Sequence, residues 1–518
     1  MKSKNIFAIV ALSLGLSLGF SSCVSDDSTD GTRELPQLSI KGSDATTLPI
    51  YNVYLSRECH LKPEITYNGN ESDLKYNWQV GTYANGVKGQ LKEVSTEPEL
   101  KYVFPEGGSY YVHLAVTDGK VGQVVEYQVN VNRIFEEGYL LTSTDADGKG
   151  NLSFVKMMTP EEIAEGNTEM VVEHCLSSQN EGISEDGLVK AVQGSVTFPN
   201  DVTRILVSTK DHCYFLDPND FTVIQSIAYD ELYPGFQATT FMQDAYAPYA
   251  YDKNMKKTAH LNLTYMFPYE YSYFKDFSTE EIILCNYLDY KEDAAPKTFY
   301  LDYNKAQVSI FSVMTNNNTS EWYKPYYRGT NFPNTGDLLQ GQKLLTAFVG
   351  FGKQEYGGVS YILSQGENGN NVTLWKNSST AYYIDAKDFK KETITVDANT
   401  AVPAQGARFV GSPVYNRYFY PVDNCVYVYL PQNAFVLPNK DQYAIKFSEN
   451  EEVTYMDTNF DTEELYVATF DKQTQRGNFY IYDCKDVTTN NKGNIQPKEV
   501  HKSCAGRISY LMYKPSIQ

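Results

Sequence analysis

Apolar and polar residues alternate in short runs along most of the chain from residue 37 onward. In residues 110–116 (YYVHLAV), Tyr110, Val112, Leu114 and Val116 fall on one face. A period of two over this length indicates a half-buried β-strand. Turn signals rich in Gly, Pro and Asp flank the run on both sides. Amphipathic helical periodicity is nearly absent, so the pattern predicts an all-β protein.

A longer unit recurs from residue 134 to the end. It is an apolar strand ending in a small residue or Thr, a turn, and an aromatic strand that often closes on Asp. Copies cover residues 138–155, 204–217, 280–302, 343–363, 418–429 and 464–483. Degenerate repeats spaced by about 40–60 residues are typical of β-propellers with four-stranded blades. Residues 134–518 are therefore expected to form a propeller of about six to eight blades, and we expect seven.

The sequence also predicts which strands close the ring of the propeller. The strand at residues 507–513 is expected to share a blade with the segment that begins near Gly138, because this pairing would cover exposed sheet edges. A tandem array of β-sandwiches is the competing fold.

Residues 1–22 have the pattern of a secretory signal. Lys2 and Lys4 precede an apolar run at residues 6–20 that is shorter than the ~20 residues needed to span a bilayer. Ser21 and Ser22 then precede Cys23, which resembles a bacterial lipobox with Phe20 where Leu is usual. The resemblance implies lipidation of Cys23 and a flexible tether at residues 23–36, whose acidic part is similar to surface-export tags. An ordinary signal peptide that contains a cysteine is the alternative.

Residues 37–133 resemble a polycystic-kidney-disease (PKD) domain. The resemblance rests on residues 76–81 (YNWQVG), 102–104 (YVF) and 108–118 (GSYYVHLAVTD). It implies an immunoglobulin-like β-sandwich in which Trp78 is a core residue rather than a sugar platform. The usual Phe-Gly-Asp-Gly is missing at residues 80–82, so we expect a variant, PKD-like domain.

Charge and cysteine usage exclude several classes of function. The formal net charge is −20, with 64 acidic residues, and such a chain repels nucleic acid phosphates. Seven cysteines besides Cys23 are scattered without a C-x-x-C motif, and the six histidines are equally dispersed. This spacing argues against a metal cluster and against a disulfide framework. Free, buried thiols are expected, with an isolated disulfide as the alternative.

Catalytic and metal motifs are sparse. The turn at residues 145–150 (DADGKG) resembles a calcium loop, but Lys149 occupies its fifth position and no acidic residue closes it. A hairpin turn is therefore expected there, and no metal or cofactor is predicted. The sequence contains no G-x-S-x-G elbow and no phosphate-binding glycine loop, so we do not expect an enzyme.

Two aromatic segments interrupted by proline are the predicted ligand contacts. One covers residues 241–251 and continues at 265–274, and the other covers residues 322–328. Tyr, Trp and Arg are enriched in recognition surfaces, so we expect these segments to project from the blades. Packing between neighbouring blades is the alternative. The candidate residues are Tyr246, Tyr249, Tyr251, Trp322, Tyr323, Tyr326, Tyr327 and Arg328.

The combination of lipobox, PKD-like domain and β-rich C-terminal region resembles the PKD-like family of outer-membrane lipoproteins. The family is typically encoded beside SusC/SusD-type TonB-dependent importers. The resemblance implies a lipid-anchored protein on the cell surface that captures a glycan or peptide for an importer. A docking subunit of the importer without a small ligand is the main alternative, and a propeller hydrolase or lyase is a third.

Overall fold

The computed structural model describes residues 35–55, 57–84, 86–164, 166, 169–196, 202–243, 248–263, 265–270, 281–285, 297–312, 338–350, 359–377, 389–489 and 491–516. The chain divides into two compact units, Met1–Asn132 and Arg133–Gln518. Helix is confined, in these residues, to short pieces: α1 (Pro160–Ala164), α2 (Cys175–Gln179) and the 3₁₀ turns Glu71–Asp73 and Tyr229–Glu231. Within the described ranges, none of the helices has the length and apolar character needed to cross a membrane.

The described residues of the first unit form ten strands. They are β1 (Leu38–Ile40), β2 (Ile50–Tyr54), β3 (Glu58–Leu61), β4 (Ile65–Tyr67), β5 (Lys75–Ala84), β6 (Val87–Lys88), β7 (Lys92–Ser95), β8 (Leu100–Val103), β9 (Gly108–Thr117) and β10 (Gly122–Asn132). The main sheet has the order β2-β10-β9-β5-β6, with β7 also paired to β5. Two further pairs, β1-β4 and β3-β8, complete the unit. All pairings are antiparallel except β2 with β10.

The core of the first unit surrounds Trp78 on β5, which is fully buried. Its indole ring stacks on Tyr127 with centroids 6.2 Å apart, and its Nε1 donates a hydrogen bond to the Glu97 carbonyl at 2.8 Å. Leu114 and Val116 on β9 are buried in the same cluster, as the alternating pattern predicts. The expectation that Trp78 is a core residue is confirmed.

The second unit contains seven sheets in the described residues. In chain order the strands are β11 (Gly138–Thr144), β12 (Gly150–Lys156) and β13 (Met170–Val172); β14 (Lys190–Val196), β15 (Val202–Ser208), β16 (His212–Leu216) and β17 (Val223–Ala228); β18 (Thr240–Gln243), β19 (Pro248–Asp252), β20 (Lys257–Asn262) and β21 (Phe267–Tyr269); β22 (Glu281–Cys285), β23 (Lys297–Asp302) and β24 (Gln307–Ser312); β25 (Gln342–Val349), β26 (Ser360–Gly366), β27 (Asn371–Asn377) and β28 (Lys390–Thr395); β29 (Val410–Ser412), β30 (Arg417–Val422), β31 (Cys425–Tyr429) and β32 (Ile445–Lys446); β33 (Glu451–Asn459), β34 (Glu464–Asp471), β35 (Arg476–Asp483) and β36 (Glu499–Ala505); and β37 (Arg507–Lys514).

The last strand closes the second unit into a ring. β37 pairs antiparallel with β11, from Gly138 opposite Lys514 to Thr144 opposite Arg507, and it forms one sheet with β11, β12 and β13. The predicted pairing of the C-terminal strand with the segment near Gly138 is confirmed, and a tandem array of sandwiches is not formed.

The inner strands surround a common axis. In each sheet one edge strand contacts the corresponding strand of a neighbouring sheet, as β33 does with β37, β37 with β14, and β14 with β18. Apolar clusters fill the spaces between neighbouring sheets. A closed ring of sheets with inner strands around an axis is a β-propeller. The second unit is therefore a β-propeller in an all-β chain.

Candidate ligand-binding site at the propeller axis

The first predicted aromatic segment forms strands over much of its described length. The described residues of 241–251 belong to β18 and β19, where Tyr249 and Tyr251 are only 1% and 2% exposed, and the continuation includes β21. The Tyr249 ring stacks on His260 at 5.0 Å, and its hydroxyl lies 3.2 Å from that of Tyr300 in the next sheet. In residues 241–251 the prediction of a projecting loop is wrong, because the described residues form strands and the Tyr249 ring packs toward the neighbouring sheet. In the continuation, Tyr265 stands just before β21 and is 77% exposed. The structure thus gives Tyr249 and Tyr251 a packing role.

The remaining predicted contacts lie outside the described residues. These are Tyr246 from the first segment and the whole second segment, with Trp322, Tyr323, Tyr326, Tyr327 and Arg328. Their role in ligand binding stays a prediction. Cys23, the predicted lipidation site, also lies outside the described residues.

The turn with the calcium-like sequence is a hairpin between β11 and β12. Gly148 N donates to the Asp145 carbonyl at 2.9 Å, and Asp145 N donates to the Lys149 carbonyl at 2.8 Å. The Asp145 carboxylate accepts a hydrogen bond from Asn151 Nδ2 at 3.0 Å and lies 3.2 Å from His174 Nε2. Protein groups thus already surround this carboxylate. Over the described part of the chain, no cluster of three metal-ligating side chains occurs.

Six cysteines whose side chains the structure describes are free and buried: Cys59, Cys175, Cys213, Cys425, Cys484 and Cys504. Burial raises the pKa of the Cys59 thiol to about 11 and that of Cys504 to about 12. Thiols in such surroundings stay protonated and act as small apolar side chains, as the sequence predicts.

Five side chains meet beside the propeller axis, and we call them the axis cluster. They come from four neighbouring parts of the ring: Lys190 begins β14, Arg408 lies two residues before β29, Tyr455 and Asp457 are on β33, and Tyr510 is on β37. Lys190 Nζ lies 4.0 Å from the centroid of the Tyr510 ring. The rings of Tyr455 and Tyr510 make an edge contact at 5.4 Å.

Asp457 is the carboxylate of the axis cluster, and its oxygens have partners within the protein. Tyr455 OH donates to Oδ2 at 2.8 Å, and the Thr458 backbone N–H donates to Oδ1 at 2.9 Å. Arg408 Nη2 lies 3.8 Å from Oδ2, while its guanidinium carbon stands 4.7 Å from the centroid of the Tyr455 ring. Asp457 therefore holds the tyrosine hydroxyl and the guanidinium together.

β-bulges position the aromatic members of the axis cluster. The pairing of β33 with β34 shifts between Val453 and Tyr455, so Thr454 is an extra residue immediately before Tyr455. On β37, Ser509 is the extra residue immediately before Tyr510. A bulge bends its strand and redirects the neighbouring side chains, and bulges are frequent next to functional sites.

Backbone contacts fix the two cationic members. The segment that carries Arg408 is tied to β25, since Gly406 N donates to the Leu345 carbonyl at 2.9 Å. At the start of β14, Ala191 N donates to Thr142 Oγ1 at 3.1 Å, which holds Lys190 beside the first sheet. Both cations thus project from anchored backbone.

Lys190 is a partly exposed cation with no acidic partner among the residues described. Burial lowers its pKa to about 7; the nearby positive charge of Arg408 acts in the same direction and Asp457 opposes it. Burial also raises the pKa of the Tyr455 and Tyr510 hydroxyls, which stay neutral. The axis cluster thus contains two cationic side chains and one carboxylate in a chain of net charge −20.

Comparisons with known proteins find solved structures that are similar to this chain at low sequence identity. No family model and no curated protein matches the chain. It is similar to a quinonprotein alcohol dehydrogenase-like protein from Bacteroides thetaiotaomicron, at 15% identity over 92% of this chain and 99% of that one, with a TM-score of 0.45. It is also similar to the Dos1 propeller, at 9% identity over 65% and 91% of the two chains, with a TM-score of 0.30. The fold assignment rests on the sheet pairing and ring closure described above.

Proposed function

We propose that this chain is a lipid-anchored β-propeller protein of the outer membrane that binds a ligand at the axis cluster. The observation that carries the proposal is the meeting of Lys190 and Arg408 with two tyrosine rings beside the axis. Binding sites typically combine apolar or aromatic walls with a few convergent polar groups and perturbed pKa values. The axis cluster has each of these properties.

The composition of the axis cluster favours binding over hydrolysis. Glycoside hydrolysis generally needs two carboxyl groups facing one bond. In the axis cluster Asp457 is the single carboxylate, and it already interacts with Tyr455 and Arg408. The cluster supplies charge, hydrogen-bonding groups and aromatic surface, which are the elements of recognition.

The wider proposal joins the axis cluster to the predicted export signal. Lipidation at Cys23 would anchor the chain to the outer membrane, facing the cell exterior. The PKD-like first unit would act as a spacer, and the second unit would be a propeller of seven blades. The ligand would be a glycan or peptide fragment delivered to a SusC/SusD-type TonB-dependent importer. Support comes from the lipobox-like sequence, the β-rich first unit and the seven described sheets.

Calorimetry of the full chain in detergent against a panel of oligosaccharides and short peptides tests this function. We expect saturable binding that weakens at least tenfold in Arg408→Met. The matched control is Lys446→Met, which removes a cation that also stacks on a tyrosine, Tyr443, away from the axis cluster. Binding that is insensitive to Arg408→Met would contradict the site. Folded protein that binds nothing on the panel but co-purifies with importer subunits would favour a docking role instead.

A further inference from the structure

We infer that the ligand of the axis cluster carries a singly charged oxyanion, a carboxylate or a sulfate ester, and that this group pairs with Lys190. The inference rests on the proposed function, because it names the chemical class of ligand for the same site. It follows from the partners of the charged groups in the cluster.

The two buried lysines among the described residues have oxygen partners. Lys156 Nζ lies 2.5 Å from Glu162 Oε2, and both side chains are buried. Lys514 Nζ donates to the Glu136 carbonyl at 2.8 Å. An ammonium group removed from water is costly unless such a partner offsets the lost hydration.

Lys190 differs from these two lysines. Its Nζ faces the Tyr510 ring at 4.0 Å and has no hydrogen-bond acceptor among the described residues. A ring face is a weaker partner for an ammonium group than a carboxylate in an enclosed site. Since Lys190 is partly exposed, a ligand group can reach it. This cation therefore lacks an anionic partner within the part of the chain that the structure describes, and an anionic group of a ligand can supply one.

Arg408, the second cation, differs from Lys190 because it already faces a carboxylate. Arg408 faces Asp457 at 3.8 Å, and Asp457 is fixed further by the Tyr455 hydroxyl. Among the described residues, the charge that remains to be matched is therefore a single positive charge at Lys190. A doubly charged phosphate would bring a second negative charge toward Asp457, which is repulsive in an enclosed site. A single carboxylate or sulfate ester fits this balance best.

Among the charged and titratable groups of the axis cluster, Lys190 is the one whose protonation sets the affinity for an anion near neutral pH. Arg408 precedes β29, Tyr455 and Asp457 lie on β33, and Tyr510 lies on β37. Arg408 keeps its charge, and the raised pKa values of both tyrosines keep them neutral. With the Lys190 pKa at about 7, an anion that binds the ammonium form loses affinity as the pH rises above 7, up to tenfold per unit.

Matched probe pairs test the inference on the full chain. Trigalacturonate is compared with its methyl ester, a 6-sulfated galactose trisaccharide with its unsulfated form, and the peptide Gly-Phe-Gly with its amide. We expect at least tenfold tighter binding of one acidic member than of its neutral partner, and the pair that shows it identifies the source of the anion. That preference should vanish in Lys190→Met and persist in Lys446→Met.

Lys190→Arg provides a readout that does not depend on removing the cation. Arginine stays charged, so this variant should retain the preference for the acid while losing the decline in affinity between pH 6 and pH 8. An unchanged pH dependence in Lys190→Arg would overturn the inference. Equal binding of the acidic and neutral probes, weakened by Arg408→Met, would overturn it while leaving the proposed function intact. Absence of binding to every probe and to the wider panel would overturn both.

Discussion

The ammonium group of Lys190 lies 4.0 Å from the centre of the Tyr510 ring, so the first residue of β14 contacts the strand that closes the propeller. Tyr510 also packs against the apolar clusters on both sides of its position in the ring. A side chain from the C-terminal strand thereby links the closure of the fold to the candidate site.

The Tyr510 ring, rather than its hydroxyl, is expected to support Lys190. No hydrogen-bond partner of the hydroxyl is found within the described ranges, so Tyr510→Phe should bind the trisaccharide probes within about twofold of the unmodified chain and keep its stability. Tyr510→Ala removes the packed ring and should lower the free energy of unfolding by about 3–5 kcal/mol. Calorimetry and denaturant unfolding measure both effects. A large loss of affinity in Tyr510→Phe would show that the hydroxyl contacts the ligand.

Glu451 is expected to contribute stability that depends on pH. Its buried carboxylate accepts hydrogen bonds from Thr469, Asn478 and Tyr480. Burial would raise its pKa, but the bonds from Tyr480 and Thr469 and the charge of Lys502 outweigh burial and lower the pKa to about 2. A lowered folded-state pKa gives stability that is complete above the unfolded value of about 4.5 and is lost as the pH falls toward 2. The linked contribution at pH 7 is about 3 kcal/mol.

Thermal unfolding of Glu451→Gln tests this linkage. The variant should unfold at a lower temperature than the unmodified chain at pH 7, and the difference should shrink at pH 3. The control is Glu452→Gln, whose carboxylate is more exposed and pairs with Lys472 and Arg507 at the surface. A difference that is constant from pH 7 to pH 3 would show that Glu451 acts through packing alone.

Gly506, the residue immediately before β37, has no room for a side chain. A Cβ there would lie 2.3 Å from the Thr144 carbonyl oxygen, at the end of β11. Gly506→Ala should therefore destabilise the ring closure by at least about 2 kcal/mol, measured as a lower unfolding midpoint. Gly366→Ala is the matched control, because its Cβ would meet no atom closer than 3.9 Å. Equal stability of the two variants would contradict the described pairing of β37 with β11.

The buried thiols are expected to resist alkylation in the native state. Cys59, Cys213 and Cys504 are buried and their thiol pKa values are raised by burial, so iodoacetamide at pH 8 should leave them unmodified. In guanidinium chloride all three should react, as peptide mass spectrometry would show. Rapid labelling of the native protein at any of the three would contradict the described packing.

Much of the fold follows from short-range patterning. Alternation in residues 110–116 predicts a half-buried strand because successive side chains of a strand point to opposite faces. The recurring strand pairs predict six of the seven described sheets, and the need to cover sheet edges predicts the closing strand at residues 507–513. These features depend on local residue order, which the sequence displays directly.

The sheet that the repeat pattern missed is the one built from β18 to β21. Its strands are short and Pro248 interrupts the aromatic run, which reads as a loop. Proline is nevertheless acceptable as the first residue of a strand, where Pro248 stands in β19. Burial of Tyr249 between blades then decides the structure, and that contact depends on Tyr300 in another sheet.

The axis cluster could not be predicted from the sequence. Lys190, Arg408, Asp457 and Tyr510 come from four distant parts of the chain, and none stands in a motif with characteristic spacing. The propeller brings them together because its inner strands share one axis, and the bulges at Thr454 and Ser509 are set by strand register. The sequence around a single lysine does not show whether a carboxylate from another part of the chain lies near it in the fold.

Protection of Lys190 from reductive methylation directly tests whether a ligand binds at the axis cluster. The full chain is methylated at pH 8 with and without a saturating concentration of the tightest probe, and each lysine is quantified by peptide mass spectrometry. We expect Lys190 to be modified in the free protein and protected several-fold by the probe, while Lys446 is modified equally in both samples. Unchanged modification of Lys190 at saturation would contradict ligand binding at the axis cluster.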